Sequence, residues 1–209
     1  VSGSYAEPKG ILSITAPVLF GQLHIVPILT EFLQLYPAVS VRAQFYDRIG
    51  NILDEGLDVA IRIGHLRDSS LYATRVGCVQ RVVCASPDYL KKHGTPRKAA
   101  KLVEHDIIQA STVEPSTTWR FESKQGKESV TVTPRLQCSQ NGAAIEAAKQ
   151  GLGITRLMSY QVGEQFSDGT LKRILKNYEA KPLPVSIVHM EGRQANAKIR
   201  AFIELATQR

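Results

Sequence analysis

The sequence predicts an α/β fold that is divided into two lobes. Short apolar strands alternate with helix-like stretches over residues 11–64, which is the βαβαβ pattern of a parallel, doubly wound sheet. A second, less regular series of strands and helices covers residues 80–166. A later strand at residues 183–190 contains Pro184, which lacks a backbone donor, so we do not expect it at the centre of the second sheet.

The elements of the first lobe follow from local patterns. Residues 11–16 alternate apolar and hydroxyl side chains, which is typical of a half-buried strand. Apolar residues then recur at helical spacing over residues 18–36, where Pro27 predicts two helical pieces or a kink. Pro37 ends this stretch, because a proline disfavours helical geometry in the residue before it. A strand, a short helix ending at Gly56 and a third strand are predicted at residues 39–45, 49–56 and 58–64.

The second half of the chain contains a predicted hairpin and an Ala-rich helix. The hairpin closes around Gln125 and Gly126, because both arms alternate and are rich in Thr, Val and aromatic residues. The helix NGAAIEAAKQG ends at Gly151. The other predicted strands are residues 80–86, 107–108, 136–139, 153–157 and 183–190. The other predicted helices are residues 87–90, a short one from 96, 159–166 and 195–206.

This order of elements predicts a chain that crosses between the lobes twice. It leaves the first lobe near Cys84, builds the second and returns near Lys181, which makes a hinged pair of lobes with a cleft. The predicted domains are a linker remnant at residues 1–9, lobe I at 10–83 and 183–209, and lobe II at 84–182.

Composition narrows the function classes. The net charge is +7, but the basic residues are scattered without aromatic interleaving, so we expect no nucleic-acid surface. The three cysteines form no CxxC pair, which disfavours a disulfide scaffold or a zinc site and leaves open a redox role for Cys84 or Cys138. The longest apolar runs are only a few residues, so no membrane segment is expected.

Enzymatic motifs are absent from the sequence. There is no GxSxG, HExxH, Walker loop or GxGxxG, and the five histidines have no acidic or nucleophilic partner at a recognisable catalytic spacing. The sequence therefore disfavours an enzyme and predicts no cofactor and no metal.

Three strand-to-helix junctions are candidates for ligand binding. Thr15 is predicted to cap the first helix, with Pro17 in its first turn. Ser139 or Asn141 is predicted to cap the Ala-rich helix, and a third junction lies at residues 157–159. Free amides at a helix N-terminus attract anions, although each such end also needs an ordinary cap.

Arg62 is a further candidate, because it lies on one face of the apolar strand DVAIRIG. A guanidinium in a sheet core must reach an ion-pair partner or a ligand cleft. Asp47, Asp54 and Asp58 are the alternative partners, and the sequence does not decide between an ion pair and the cleft.

The motifs, taken in order, resemble those of one family. ITAPVLFG, LDEGLDVAIRIGHLRDSSL and VCASPDYLKKHGTP, followed by WRF, CSQNGAAIEAAKQGLGI and LPVSIVH, are similar to the effector-binding domain of LysR-type transcriptional regulators. The resemblance covers about residues 10–205, and its strength lies in the joint order and spacing of motifs that are loose one by one.

The resemblance implies a fold and a function. The fold is two Rossmann-like lobes joined by a two-crossover hinge, as in periplasmic solute-binding proteins of type 2. A small polar or anionic effector binds between the lobes of a bacterial, cytoplasmic regulator. The regulatory domains form homodimers, the full-length proteins are tetramers, and DNA is bound only through an N-terminal winged helix-turn-helix that is absent here. The alternatives are a stand-alone solute-binding protein and an enzyme of related fold, such as a deaminase or dehydratase.

Carried over by position, the resemblance places the effector at the strand ends of both lobes. Ala16 and Pro17 stand where other branches of the family carry hydroxyl residues that hold a carboxylate, which weakens the case for an acidic effector. The implied ligand-binding residues are Thr15, Ala16, Pro17, Val18, Arg62, Gly64, Ser139, Asn141, Gly142 and Met158.

Overall fold

The computed structural model describes residues 6–48, 56–67, 70–111, 115–190 and 196–209. The chain divides into two compact units, Val1–Cys78 with Pro184–Arg209, and Val79–Leu183. The first crossing lies five residues before the boundary expected at residues 83 and 84. That boundary is wrong because it would cut the strand Arg81–Ala85, which belongs wholly to the sheet of the second unit.

The described residues form strands and helices in the following order. The strands are β1 Gly10–Ala16, β2 Val39–Phe45, β3 Val59–Ile63, β4 Tyr72–Val79, β5 Arg81–Ala85, β6 Ile107–Ala110, β7 Thr118–Ser123, β8 Gly126–Thr131, β9 Pro134–Cys138, β10 Ile154–Met158, β11 Lys172–Ile174 and β12 Leu183–His189. The helices are α1 Val18–Phe20, α2 Val26–Leu35, α3 Pro87–His93, α4 Asn141–Lys149, α5 Gly163–Asp168 and α6 Ala197–Thr207. A π-helical turn spans Gly21–Ile25, and 3₁₀ turns span Ala99–Glu104, Ser159–Gln161 and Lys176–Tyr178.

The sheet of the first unit has the order β2-β1-β3-β12-β4. β1 runs parallel to both β2 and β3, which confirms the predicted doubly wound core. β12 pairs antiparallel with β3, so the Pro184-containing strand does return to the first unit. β4 was missed because most of its residues are exposed and its sequence, YATRVGCV, lacks an apolar alternation. The helix predicted at residues 49–56 falls largely on residues outside the described ranges.

Pro27 has the local effect that the sequence predicts. The helical run that starts at Val18 passes through the π-helical turn Gly21–Ile25 before it continues as α2. Pro27 has no amide to donate and its ring clashes with the preceding turn of an α-helix. The wider turn relieves this clash, and its last hydrogen bond runs from the Val26 amide to the Gly21 carbonyl.

The run Val18–Leu35 bears on the expectation that the chain has no membrane segment. It is 18 residues long with a mean hydropathy of 1.4, enough to cross a membrane by length and composition, and 22% of it is buried. The expectation considered only uninterrupted apolar runs, which are short here. The mean hydropathy of the whole segment is high because only a few polar residues separate those runs. One such helix is weak evidence for a span, since helices that cover the core of a soluble protein pass the same test.

The core of the first unit lies between the sheet and the helices α2 and α6. Phe32 from α2 and Phe202 from α6 are fully buried, and their rings meet edge to face with centroids 5.7 Å apart. Leu12 and Ile14 from β1 contribute to the same buried set. The C-terminal helix is therefore part of the core of this unit.

The second unit contains a mixed sheet and a separate hairpin. The sheet order is β11-β5-β10-β6-β9; β6 runs parallel to β9 and β10, whereas β5 runs antiparallel to β10 and β11. Strands β7 and β8 confirm the predicted hairpin and pair Trp119 with Val130. Its turn is one residue earlier than predicted, at Lys124 and Gln125, because Gly126 already pairs with Ser123. The side chains of Trp119 and Val130 are both buried in the core cluster of the unit, so the hairpin covers that core.

The short helices of the second unit differ in detail from the prediction. Residues 159–166, predicted as one helix, form a 3₁₀ turn followed by α5. The break lies at Val162, whose φ of −124° and ψ of 12° are outside the helical range. The Ser159 amide donates to the Gln80 carbonyl, and the Ser159 hydroxyl accepts from the Gln80 amide. These two bonds tie the start of the turn to the residue before β5.

Candidate ligand-binding residues at the strand ends

In the first unit, the predicted ligand-binding residues gather at one edge of the sheet. β1, β2 and β3 are parallel, so their carboxyl ends at Ala16, Phe45 and Ile63 lie along the same edge. Ligands of open α/β sheets bind outside the carboxyl ends of the strands. Six of the predicted residues lie at these ends: Thr15, Ala16, Pro17, Val18, Arg62 and Gly64.

The helix N-terminus in this set is already occupied by a carboxylate of the chain. The Val18 amide donates to Asp47 Oδ1 at 3.1 Å, and the capping position is Pro17, which has no side-chain bond. The prediction that Thr15 caps this helix is therefore wrong. The sequence indicates Asp47 only as an alternative partner for Arg62. Its position two residues after the end of β2 is the feature that points to the capping role. An anion bound here would meet the negative charge of Asp47.

Thr15 does not cap the helix, but its side chain lies at the end of β1. It is 1% exposed, and its hydroxyl has no hydrogen-bond partner in the structure. A buried hydroxyl without a partner is costly, and such groups mark places where a water molecule or a ligand is bound. Thr15 is thus the residue of this set with an unused hydrogen-bonding group.

Arg62 and Gly64 lie at the end of β3. Arg62 is half-buried, stands opposite Ser186 of β12, and already has an interaction partner within the chain. Gly64 has φ of +106°, which disfavours any residue with a side chain, and its amide donates to the Pro184 carbonyl at 2.9 Å. Gly64 therefore turns the chain away from the sheet.

In the second unit, the predicted residues lie at the ends of β9 and β10. β6, β9 and β10 are parallel, so Ala110, Cys138 and Met158 end at the same edge. Ser139 follows β9 and is exposed. Met158 is 8% exposed, and its amide donates to Gln161 Oε1 at 2.9 Å, so Met158 offers an apolar side chain at this edge.

The start of α4 corrects a second capping prediction. The capping residue is Gln140, without a side-chain bond, rather than Ser139 or Asn141. Asn141 is 3% exposed and has a partner within the chain. A Cβ atom placed on Gly142 would meet no atom within 4 Å, so the space beside this glycine in the first turn is open.

Ser111 is a residue at this edge that the sequence analysis missed. It directly follows β6, and both its amide and its hydroxyl donate to the Cys138 carbonyl, at 3.0 and 3.2 Å. These bonds fix the end of β9 just before Ser139. The sequence feature that could have indicated Ser111 is a hydroxyl residue directly after the fully buried strand Ile107–Ala110.

The two cysteines for which a redox role was left open have unreactive surroundings. Burial raises the pKa of the Cys84 thiol to about 12, and burial also raises the pKa of Cys138. At pH 7, on the order of one Cys84 thiol in 10⁵ is then ionised. Since the thiolate is the reactive form, neither residue is poised as an oxidant sensor.

A thiol-labelling experiment tests this view of the cysteines. With excess Ellman's reagent at pH 7 we expect one rapid reaction per chain, at the exposed Cys78, and all three thiols only after unfolding. A Cys78→Ser variant is the control and should show no rapid reaction. As the pH rises from 9 towards 12, the unfolded state loses a proton that folded Cys84 keeps, so the free energy of unfolding should fall. Rapid labelling of Cys138 would contradict this account.

Metal chemistry has no support within the described ranges. They contain no group of three His, Cys, Asp or Glu side chains that could hold a metal ion. His105 lies beside the Tyr89 hydroxyl at 3.0 Å, and that hydroxyl also accepts from the Asp106 amide. Burial and the nearby His93 lower the pKa of His105, which is consistent with a neutral, structural imidazole.

Comparison with known families decides the class of the protein. A family model described as the LysR substrate binding domain matches residues 6–209. The chain belongs to this family. The resemblance drawn from the motifs is thereby confirmed, together with the predicted mixed α/β fold.

Relatives and solved structures agree with this assignment. The LysR domain is 29% identical over 198 residues to the HTH-type transcriptional regulator PtxR of Pseudomonas aeruginosa, covering 95% of this chain and 64% of PtxR. It superposes on full-length AphB, a virulence activator of Vibrio cholerae, with a TM-score of 0.87 and 26% identity, covering 98% of this chain and 70% of AphB. It superposes on the regulatory domain of CrgA from Neisseria meningitidis with a TM-score of 0.83 and 25% identity, covering 96% of this chain and 98% of the CrgA domain. The chain spans 64–66% of the length of the first three curated regulators that it matches.

Proposed function

We propose that this LysR domain binds the small-molecule effector of a bacterial, cytoplasmic transcription factor and does not catalyse a reaction. The observation that carries the proposal is the family match over residues 6–209. The relatives are transcriptional regulators, which supports regulation over catalysis. The DNA-binding activity belongs, in this proposal, to a winged helix-turn-helix segment of the parent protein outside these residues.

The effector contacts strand-end residues from both units in this proposal. The family likeness supports a shared role for the two sets, and the buried, unpartnered hydroxyl of Thr15 and the open space beside Gly142 support the individual positions. The proposed ligand-binding residues are Thr15, Ala16, Pro17, Val18, Arg62, Gly64, Ser139, Asn141, Gly142 and Met158, to which we add Ser111.

The charge around these residues favours a particular effector chemistry. The Val18 amide at the start of α1 already donates to the Asp47 carboxylate, whose charge would repel a second carboxylate at that end. A group that donates a hydrogen bond suits the Thr15 oxygen, and an acidic group, where the effector has one, is better placed near Arg62 or the start of α4. The proposed effector is accordingly a small polar metabolite, and any carboxylate or phosphate it carries lies away from Asp47.

Thr15→Val tests the proposed site most cleanly in the first unit. The two side chains have similar shape, and the lost hydroxyl has no partner, so the free energy of unfolding should be unchanged or should rise. Effector affinity should fall about tenfold if that hydroxyl binds the effector. Calorimetric titration with a ligand found by screening measures the affinity, and urea denaturation measures the stability. Unchanged affinity would remove Thr15 from the site.

We propose that the regulatory domains form homodimers, and the full-length protein a tetramer. The face of the helical run Val18–Leu35 supports this, because several of its large apolar side chains lie in water. They are Leu23, Val26 and Leu33, which are 52%, 43% and 38% exposed. Exposed apolar patches of this kind mark protein interfaces.

Leu23→Lys tests whether this face forms the dimer. A charge at the centre of an apolar interface must be desolvated without a partner, so the variant should be monomeric in sedimentation equilibrium at concentrations where the wild type is dimeric. Gln125→Lys, at an exposed position of the hairpin away from this helix, is the matched control and should stay dimeric. An unchanged dimer in Leu23→Lys would place the interface elsewhere.

A further inference from the structure

A groove in the second unit lies apart from the strand-end residues. It is formed around the edge strand β11, the 3₁₀ turn that follows it and the loop after α3. Its volume is about 400 Å³, which falls within the range of small-molecule pockets in proteins. We call it the β11 groove; among its lining residues are Pro96, Arg97, Lys172, Leu175, Lys176 and Tyr178.

The apolar part of the β11 groove is fixed by the core. Leu175 has φ of +54°, which is uncommon for a residue with a side chain, yet that side chain is only 8% exposed and belongs to the core cluster. Tyr178 is half-buried and packs against the same cluster, and Pro96 is buried. Packing thus holds the backbone turn in place, and the groove is formed without a ligand.

The charged part of the groove carries an excess of positive charge. Arg97, Lys172 and Lys176 are exposed, and none has an ion-pair partner within the described part of the chain. The nearby carboxylate of Glu179 is already taken by Arg173 through two bonds, of 2.6 and 2.5 Å. This bond with Glu179 also raises the pKa of Arg173. Glu179 therefore leaves the other three cations without a counter-charge.

The distribution of charge along the chain points the same way. Residues 79–183 contain 16 Lys and Arg against 10 Asp and Glu, whereas the rest of the chain contains 10 against 9. Almost all of the net charge of +7 therefore belongs to the unit that holds the groove. An excess of this kind raises the local concentration of anions.

We propose that the β11 groove binds a small organic anion, with an apolar or aromatic body against Leu175 and Tyr178 and a carboxylate or phosphate near Arg97, Lys172 and Lys176. Arginine and lysine recognise both headgroups, the former by paired hydrogen bonds and the latter as a point charge. The site uses none of the proposed effector-binding residues. The domain would then take two different ligands, one at the strand ends and one in this groove.

Nuclear magnetic resonance of the ¹⁵N-labelled chain tests the proposal with defined probes. 1-Naphthyl phosphate and 2-naphthoate carry an aromatic body with either headgroup, 1-naphthol lacks the charge, and inorganic phosphate lacks the body. We expect saturable shifts of amides 95–97 and 172–178 with at least one of the two aromatic anions, and much weaker binding of the other two probes. The better headgroup distinguishes a phosphorylated ligand from a carboxylic acid.

Matched variants make the result specific. The double variant Arg97→Gln/Lys176→Gln should weaken binding of the better probe by about tenfold or more. The control Lys124→Gln/Lys127→Gln removes two exposed lysines of the hairpin and should bind as the wild type does. Equal binding of 1-naphthol, equal binding of phosphate alone, or shifts confined to residues near Thr15 and Gly142 would each overturn the proposal. Because the effector site is tested at those other residues, the two proposals fail independently.

Discussion

Trp119→Ala is expected to lower the free energy of unfolding by about 3–5 kcal/mol, the usual cost of truncating a large buried aromatic residue. Trp119 is fully buried in the core cluster of the second unit, where β7 presents it together with Phe121. The hairpin is held mainly by this contact face, because within the described part of the chain it pairs with no other strand. Truncation should therefore loosen the whole hairpin. The urea midpoint, followed by far-ultraviolet circular dichroism, measures the loss.

Two further variants separate packing from other causes. Arg120→Ala, at the next position of the same strand, removes an exposed side chain and should change the stability little. Trp119→Phe should cost less than Trp119→Ala, because it keeps an aromatic ring and removes an indole N–H that has no acceptor in the structure. Equal losses in Trp119→Ala and Arg120→Ala would contradict the assignment of the hairpin to the core.

Phe32→Ala is expected to have an effect of similar size in the first unit, about 3–5 kcal/mol. Phe32 is fully buried in α2 and contacts two rings, Tyr36 at 5.0 Å and Phe202 at 5.7 Å between centroids. Its loss leaves a cavity between α2 and the C-terminal helix α6. The urea midpoint should fall, and hydrogen exchange of the α6 amides should become faster.

The control for Phe32→Ala lies two residues further along α2. Gln34→Ala replaces an exposed side chain with a better helix former, so the stability should stay the same or rise slightly. If the α6 amides of Phe32→Ala exchange as slowly as those of the wild type, other contacts hold the C-terminal helix. That result would contradict the role given to Phe32 and Phe202.

The regular part of the fold was predictable because the local patterns and the final packing agree. β1, β2 and β3 alternate or run apolar as buried strands do, and the hairpin carries its own turn residues. β4 was not predictable in this way, since it is mostly exposed and contains polar and small residues. The first domain boundary was misplaced for a related reason: β4 and β5 follow each other with one residue between them, so no loop marks the crossing.

The candidate site shows where sequence reasoning reaches its limit. The strand ends were predictable, because a βα junction in a parallel sheet always points to the same edge. The capping partners were not, because Asp47 is 29 residues from Val18 and only the parallel pairing of β1 and β2 brings them together. Ser111 was missed for the same reason, since its partner Cys138 lies 27 residues away on a neighbouring strand.

The central claim is that an effector binds at the strand ends, and a thermal-shift screen of this domain against a metabolite library tests it most directly. A ligand at about a hundred times its dissociation constant adds roughly 2.7 kcal/mol to the free energy of unfolding, which is readily measured. The account predicts at least one polar metabolite whose stabilising effect is strongly reduced in Thr15→Val and in Gly142→Leu but retained in Lys124→Gln. Gly142→Leu fills open space at a helix start, so the unliganded stability should be kept. Ligands that stabilise all of these variants equally would contradict the account.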